Sequence, residues 1–312
     1  MATLFGDELW RRAVEAAGLT EHSELLRAEA RPCFWLDGPV RDRYRKVGHS
    51  RLGGDPDLPR GFDWPVTGDG PMTFLAQINL AQLQPAHVPE LPGQGWLYFF
   101  LGSERAEYDL SHRVLYYDGS AAQLVRTRPP KRAIPIDPRR QFVAYKVELY
   151  PIFTLSPESP VWEELGVENP PWYLVTEGAT QLGGHAVTWA GDPADNAYLS
   201  RNGFGPLVGL ATESPAWLDR TEERLRRGLE QTQAAGQSSQ RLDESLAALR
   251  RYRPDLERHR RGVAEWRLLF ILASDEEMGM NWGDMGLLQF LIHEQDLQAC
   301  RFDNTYCELT TS

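Results

Sequence analysis

The chain has 312 residues, enough for one large domain or two modest ones. Apolar residues make up 42% and charged residues 25%, a globular composition, while a net charge of −11 argues against general nucleic-acid binding because phosphates would be repelled. No apolar run reaches membrane-spanning length, and residues 1–18 read as a first helix rather than a secretory signal. Cys33, Cys300 and Cys307 form no C-x-x-C pair, and so sparse a set fits free thiols in a reducing cytoplasm.

Leu9, Trp10, Ala13, Val14 and Ala17 place one apolar face on a helix over 7–18. Gly18 stops it, Thr20 can cap a second helix through about Ala30, and Pro32 ends that one. The triplet Phe34-Trp35-Leu36 is strand-like. Residues 48–71 are studded with Gly, Pro and Asp, which predicts an irregular loop. Leu52, Leu58, Phe62 and Trp64 would pin it to a core. Strands are expected at 72–80 and 95–102. Residues 113–118 and 122–127 flank a turn and read as a hairpin. A partly exposed strand covers 140–155, a short helix 159–167, and strand character returns at 186–190 and 207–212.

Leu218, Leu225 and Leu229, then Leu242, Leu246, Leu249 and Leu256, mark two amphipathic stripes joined by a polar turn. They predict an antiparallel helical hairpin over 214–262, with Pro254 interrupting its second arm. Eleven Arg stand against eight Asp or Glu over 219–261, so this arm is mildly basic on an acidic body and could favour self-association or an acidic partner. The end of the chain reads as strand (266–272), acidic loop (274–285), strand (287–292) and a turn of helix (294–299). Two blocks echo one another: TFLAQINL, a loop, then GWLYFFLG, and RLLFILAS, a loop, then GLLQFLIH. A Gly opens the second strand of each, at Gly95 and Gly286. The echo suggests a weak internal duplication.

The ordered motifs resemble the YwqG-like family, a bacterial domain of unknown function. Gly53-Gly54-Asp55-Pro56, Leu58-Pro59 and Trp64-Pro65 match its opening, and Phe74-Leu75-Ala76-Gln77-Ile78-Asn79-Leu80 its most distinctive run. Asp275 and Trp282-Gly283-Asp284 with Gly286 match its C-terminal signature. Gln181 to His185 and Asp192-Pro193 only approximate its middle motif, and the helical arm is long for the family. The resemblance implies an α+β domain with an extensive, mostly antiparallel sheet, peripheral helices and an inserted helical hairpin. It implies no known activity. The expected organisation is an N-terminal helical segment, 1–44, packed on a main domain, 45–312.

Candidate chemistry is sparse. Asp275, Glu276, Glu277 and Asp284 could hold a hard cation, but their spacing is not that of an EF-hand, and a solvated hairpin tip explains them as well. Gln77 and Asn79 are amides in an apolar strand that need partners, either a ligand or the nearby Gly-Gly loop. Gly53-Gly54 and Gly183-Gly184 match no phosphate-loop pattern. His185 lies near Asp192 and Asp195 without zinc spacing. No G-x-S-x-G elbow occurs. No catalytic residue, metal or cofactor is assigned. The preferred reading is a non-enzymatic module for a small molecule or protein, with neither nucleic acid nor membrane as partner. Its expected site is Gly53, Gly54, Asp55, Trp64, Gln77, Asn79, His185, Asp275, Trp282 and Asp284. The rivals are a metal-assisted hydrolase using the 275–284 acids and a scaffold dimerising through 214–262. The preferred site requires the Gly/Pro loop and the acidic loop to share a recess.

Overall fold

A computed structural model describes the chain apart from residues 1, 84–86, 103–106, 131–141, 176, 177, 190, 211, 213 and 312. Helices α1 (Ala2–Ala16) and α2 (Ser23–Glu29) lead into β1 (Arg31–Arg41), β2 (Arg51–Leu52) and β3 (Asp57–Pro59). The short pair β4 (Val66–Thr67) and β5 (Gly70–Pro71) precedes β6 (Thr73–Asn79), β7 (Trp96–Leu101), β8 (His112–Tyr117) and β9 (Leu124–Arg126). Then come β10 (Tyr145–Thr154), α3 (Pro160–Glu164), β11 (Gln181–Gly183) and α4 (Pro193–Arg201). Helices α5 (Pro215–Ala234), α6 (Gln240–Tyr252) and α7 (Leu256–Val263) form the long arm. The chain closes with β12 (Trp266–Ala273), β13 (Leu287–His293), α8 (Glu294–Gln298) and β14 (Thr305–Thr310).

Ten strands form one antiparallel sheet in the order β14-β13-β12-β11-β1-β10-β2-β6-β7-β8. The sheet curls until its ends meet: the Leu110 amide donates to the Cys307 carbonyl and the Leu309 amide to the Glu107 carbonyl, both at 2.8 Å. These bonds satisfy part of the backbone edge that each terminal strand would otherwise expose. One core receives side chains from all ten strands, among them Phe34, Leu52, Ala76, Phe99, Val114, Val147, Leu182, Phe270, Phe290 and Cys307. Phe99 and Phe270 meet across the interior with ring centroids 4.5 Å apart. The fold is thus α+β with a barrel-like sheet. Residues 1–44 contribute, besides two helices, the central strand β1, which pairs with β10 and β11.

The sheet reads the same from both ends. Meander β6-β7-β8 lies at one flank and β12-β13-β14 at the other, with β1 and β10 in the middle. Registers correspond residue by residue: Leu52 pairs with Ala76 and Leu182 with Phe270, while Arg51 pairs with Gln77 and Gln181 with Ile271. Each meander carries a bulge at its matching leucine, Leu75 or Leu269. Two further bonds match. Tyr98 of β7 donates to the Asp57 carbonyl at 2.7 Å, and Gln289 of β13 donates to the Val187 carbonyl at 2.8 Å. The weak echo in sequence is therefore a two-fold repeat in architecture.

Peripheral layers cover the outer faces. α4, α5, α6 and α7 bury Leu218, Leu225, Leu246, Leu249 and Leu256 against Trp266, Leu291 and Tyr306 of the sheet. The apolar stripes of the helical hairpin are thus used inside the chain. Its arms are antiparallel, with Arg253 just after α6 bonded to Asp219 and Glu222 near the start of α5. α1 and α2 pack Trp10, Val14 and Leu26 on Phe153 and the α3 region.

Several local expectations are corrected. β9 pairs with β3, not with β8, because a 3-10 turn over Ala121–Gln123, capped by Ser120, redirects it outward. The stretch at 186–190 forms no strand over its described residues. Gly183 and Gly184, both at positive φ, take the chain off the sheet, and the Gln289 side chain satisfies the Val187 backbone instead. Residues 205–207 form a 3-10 turn around Pro206 where 207–212 was expected to be a strand. Residues 140 and 141 of the expected long strand lie outside the described residues. Phe62, expected as an anchor, is exposed, whereas Leu58 is fully buried.

Candidate functional site

The Gly/Pro loop is built around a buried charge. The Arg51 side chain is inaccessible to solvent. Its Nε and Nη2 reach one Asp42 oxygen at 2.7 Å, and its Nη1 reaches Asp57 Oδ2 and the Asp55 carbonyl, both at 3.0 Å. Asp57, also buried, accepts from the Gly48 amide at 2.8 Å, from Gln77 Nε2 at 3.1 Å and from Arg126 Nε at 2.5 Å. Burial alone would raise the Asp57 carboxyl. The Arg126 bond, the Arg51 charge, the Gly48 amide and Gln77 outweigh it and hold the group below the usual range.

The two strand amides serve this loop. Gln77 accepts from the Asp57 amide at 2.7 Å and donates to the His49 carbonyl at 2.6 Å. Asn79 donates to the Gly48 carbonyl at 2.8 Å, and its own oxygen caps a 3-10 turn at Ala81. Of the two roles open to them, the structure shows the fastening one.

Gly53 and Gly54 sit at the barrel end where β2 finishes, and both have positive φ. The Gly53 amide bonds the Leu75 carbonyl and the Gly54 amide bonds the Phe142 carbonyl. On the far side of the same short segment, the Val143 amide bonds the Met278 carbonyl at 3.0 Å. Residues 142–144 thus stand between the Gly-Gly turn and the acidic loop. The acidic loop is more than a solvated tip. Met278, Met280 and Trp282 turn inward and are buried in the barrel core, while Glu276, Glu277, Gly279 and Asn281 face solvent. It is a plug closing this end of the barrel.

Two clefts flank the dividing segment. One, of about 800 Å³, is lined by Gly54, Asp55, Trp64, Phe74 and Phe142 with Arg41 and Arg128. Its charges are mixed, and Arg128 approaches Asp55 at 4.0 Å. The other, of about 840 Å³, opens between β1, the 168–172 turn and the start of the plug. Trp35 and Trp172 stack on its wall, 5.9 Å apart and 15° from parallel. Asp37, Glu168 and Asp275 supply carboxylates, and Leu36, Val147 and Leu272 form apolar walls. Asp275 holds the plug as well, since its Oδ1 accepts from the Met278 amide at 2.9 Å.

The expected site residues therefore divide. Gly53, Gly54, Asp55, Asp275 and Trp282 gather at one barrel end, but on two sides of residues 142–144. Trp64 lines the mixed cleft, with its Nε1 donating to the Met72 carbonyl. Trp282 is 1% exposed and belongs to the core, and Asp284 is exposed on the outer side of the plug. His185 follows β11 at the opposite end. There its amide donates to Thr154 Oγ1 and its ring bonds the Glu29 carbonyl, away from the plug. Burial, then the Arg31 charge, lowers His185 to about 4 against a bond to the Glu29 carbonyl, so it is neutral at pH 7. Among the described residues, no three His, Cys, Asp or Glu side chains gather as a metal site. Sequence reasoning missed Trp35, Asp37, Glu168 and Trp172. The one signal was Pro170-Pro171-Trp172, a large apolar side chain in a turn-forming stretch.

A family model described as a domain of unknown function, DUF1963, matches residues 50–310. The match runs from β2 through β14 and leaves the central strand β1 outside it. No curated protein matches the chain. No helix among the described residues is long and apolar enough to cross a membrane.

Proposed function

We propose, from the premise that this chain belongs to the DUF1963 family, that it is a non-enzymatic binding module whose ligand sits in the cleft between β1 and the plug. The observation that carries this reading is the construction of that cleft. Two stacked tryptophans and three carboxylates line one concave surface, and the sheet strands fix its floor. Pockets of this size with apolar walls and a few placed polar groups are the usual form of small-ligand sites. Trp172 is 73% exposed, a large aromatic that remains mostly in solvent although it stacks on Trp35. The Gly-Gly-Asp-Pro and Phe-Leu-Ala-Gln-Ile-Asn-Leu motifs support reading the chain as a YwqG-like member of the family. Its cysteines, two buried and one exposed and all free, support a cytoplasmic location.

Native mass spectrometry of the purified chain beside Trp172→Ala tests the reading. The expected result is a retained small molecule or partner on the parent chain and its loss from the variant. Equal retention by both would place binding elsewhere.

A further inference from the structure

The charge of the cleft deepens this reading, and rests on it: we propose that the occupant is an organic cation, an ammonium or guanidinium group on an aliphatic stem. Asp37, Glu168 and Asp275 line the cleft, and no Lys, Arg or His stands among its described lining residues. None of the three carboxylates forms an ion pair with a described side chain. Negative charge in a concave, partly apolar site focuses the local field and favours a positive guest.

The form of the cation follows from geometry. The carboxylates do not converge into a group that could hold a metal ion. A compact ion such as Ca²⁺ or Mg²⁺ needs several oxygens at once and is poorly served. A guest that spreads its charge, or carries it on a stem, can answer separated carboxylates. Leu36, Pro39, Val147, Pro157 and Leu272 offer apolar walls for the stem.

The tryptophans point the same way. Arg27 lies over Trp10 and Arg220 over Trp217, but among the described residues no cation of the chain covers Trp35 or Trp172. The Trp172 face is open to solvent at the rim of an acidic cleft, where an incoming cation gains both the ring and the carboxylates.

Calorimetric titration of the full chain tests this with spermidine and agmatine as free cations and a blocked Gly-Lys-Arg-Gly peptide as a side-chain source. Butanediol and glutarate serve as neutral and anionic controls. Asp37 and Glu168 are exposed, so Asp37→Asn/Glu168→Gln keeps the fold intact. The expected result is cation binding that this double variant weakens by about tenfold or more and Trp172→Ala by about three- to tenfold. Preference between the free amines and the peptide identifies the source. Butanediol or glutarate binding that Trp172→Ala abolishes, without cation binding, would overturn the cation and leave the cleft. Cations bound equally by all variants would overturn both, the chain's overall −11 charge being enough to attract them. No binding of any cation at millimolar concentration would overturn the cation inference alone, if native spectrometry still shows a guest that Trp172→Ala loses.

Discussion

Replacing Asp57 with Ala should unfasten the Gly/Pro loop, and the structure sets the size of the effect. Asp57 is fully buried and receives Arg51, Arg126, the Gly48 amide and Gln77. Its loss leaves Arg51 in the interior with Asp42 as its remaining carboxylate partner, and leaves the buried Gly48 amide without its acceptor. Arg126 is 22% exposed at its side chain and can turn to water. Breaking one partner of a buried pair costs about 3–5 kcal/mol. The surviving Arg51–Asp42 contact puts the expectation near the lower end, about 3 kcal/mol. Urea unfolding followed by tryptophan fluorescence reads it as a midpoint lowered by about 1 M, taking a slope of about 3 kcal/mol/M for a chain of this length. Because Asp57 is held below its unfolded value, its contribution is complete above about pH 4 and is lost as the solution is acidified through the folded value. The parent chain should therefore approach the stability of Asp57→Ala at low pH. A variant within about 0.5 kcal/mol of the parent at pH 7 would refute the network as the fastening of the loop.

Other substitutions separate structure from binding. Gly54→Ala should destabilise strongly, since a methyl there meets Tyr44 and Ala144 at a positive φ that alanine resists; thermal melting with near-native stability would contradict this. Trp172→Ala should change unfolding stability by less than about 0.5 kcal/mol, because its side chain is largely in solvent. Glu308 is raised to about 7, first by burial and further by Asp192, against bonds from Asn196, Tyr306 and Thr310. The folded state then holds a proton that the unfolded chain releases. Parent stability should fall relative to Glu308→Gln as pH rises from about 4.5 to about 7, by about 3 kcal/mol. Parallel pH–stability curves would count against it. The His185 imidazole should stay neutral down to about pH 4, read from its proton chemical shifts, and titration near 6.5 would show that burial does not govern it.

Much of this fold is written in local pattern. Leu97, Phe99 and Leu101 turn into the barrel while Trp96, Tyr98 and Phe100 turn outward under the 53–72 loop, so β7 is buried on both faces. A continuous apolar run is what such a strand requires. The helical hairpin was equally legible, because its leucine stripes keep helical spacing and are spent against the sheet. Pairing was not. β9 has a strand-like composition, yet its partner is a three-residue strand about seventy positions away, and no local signal encodes that choice.

The candidate site was legible only in part. Gly53, Gly54 and Asp275 stood out as turn formers and acids, and they do gather at one barrel end. What separates them, the segment 142–144, is ordinary in sequence, and its effect comes from two backbone bonds, one to each loop. Trp282 looked like a site residue because it adjoins acids, but the alternation of Met278, Met280 and Trp282 marks the inward face of a plug. The three carboxylates of the cleft, Asp37, Glu168 and Asp275, lie more than a hundred positions from one another. The strand order β12-β11-β1-β10, with β1 in its middle, brings them together.

A crystal soak with a mixed fragment set, containing amines, neutral diols and small acids, tests the central claim most directly. The account predicts fragment density against Trp35 and Trp172 in the cleft between β1 and the plug. Density confined to the cleft beside Asp55 and Trp64, or to the protein surface, would contradict it.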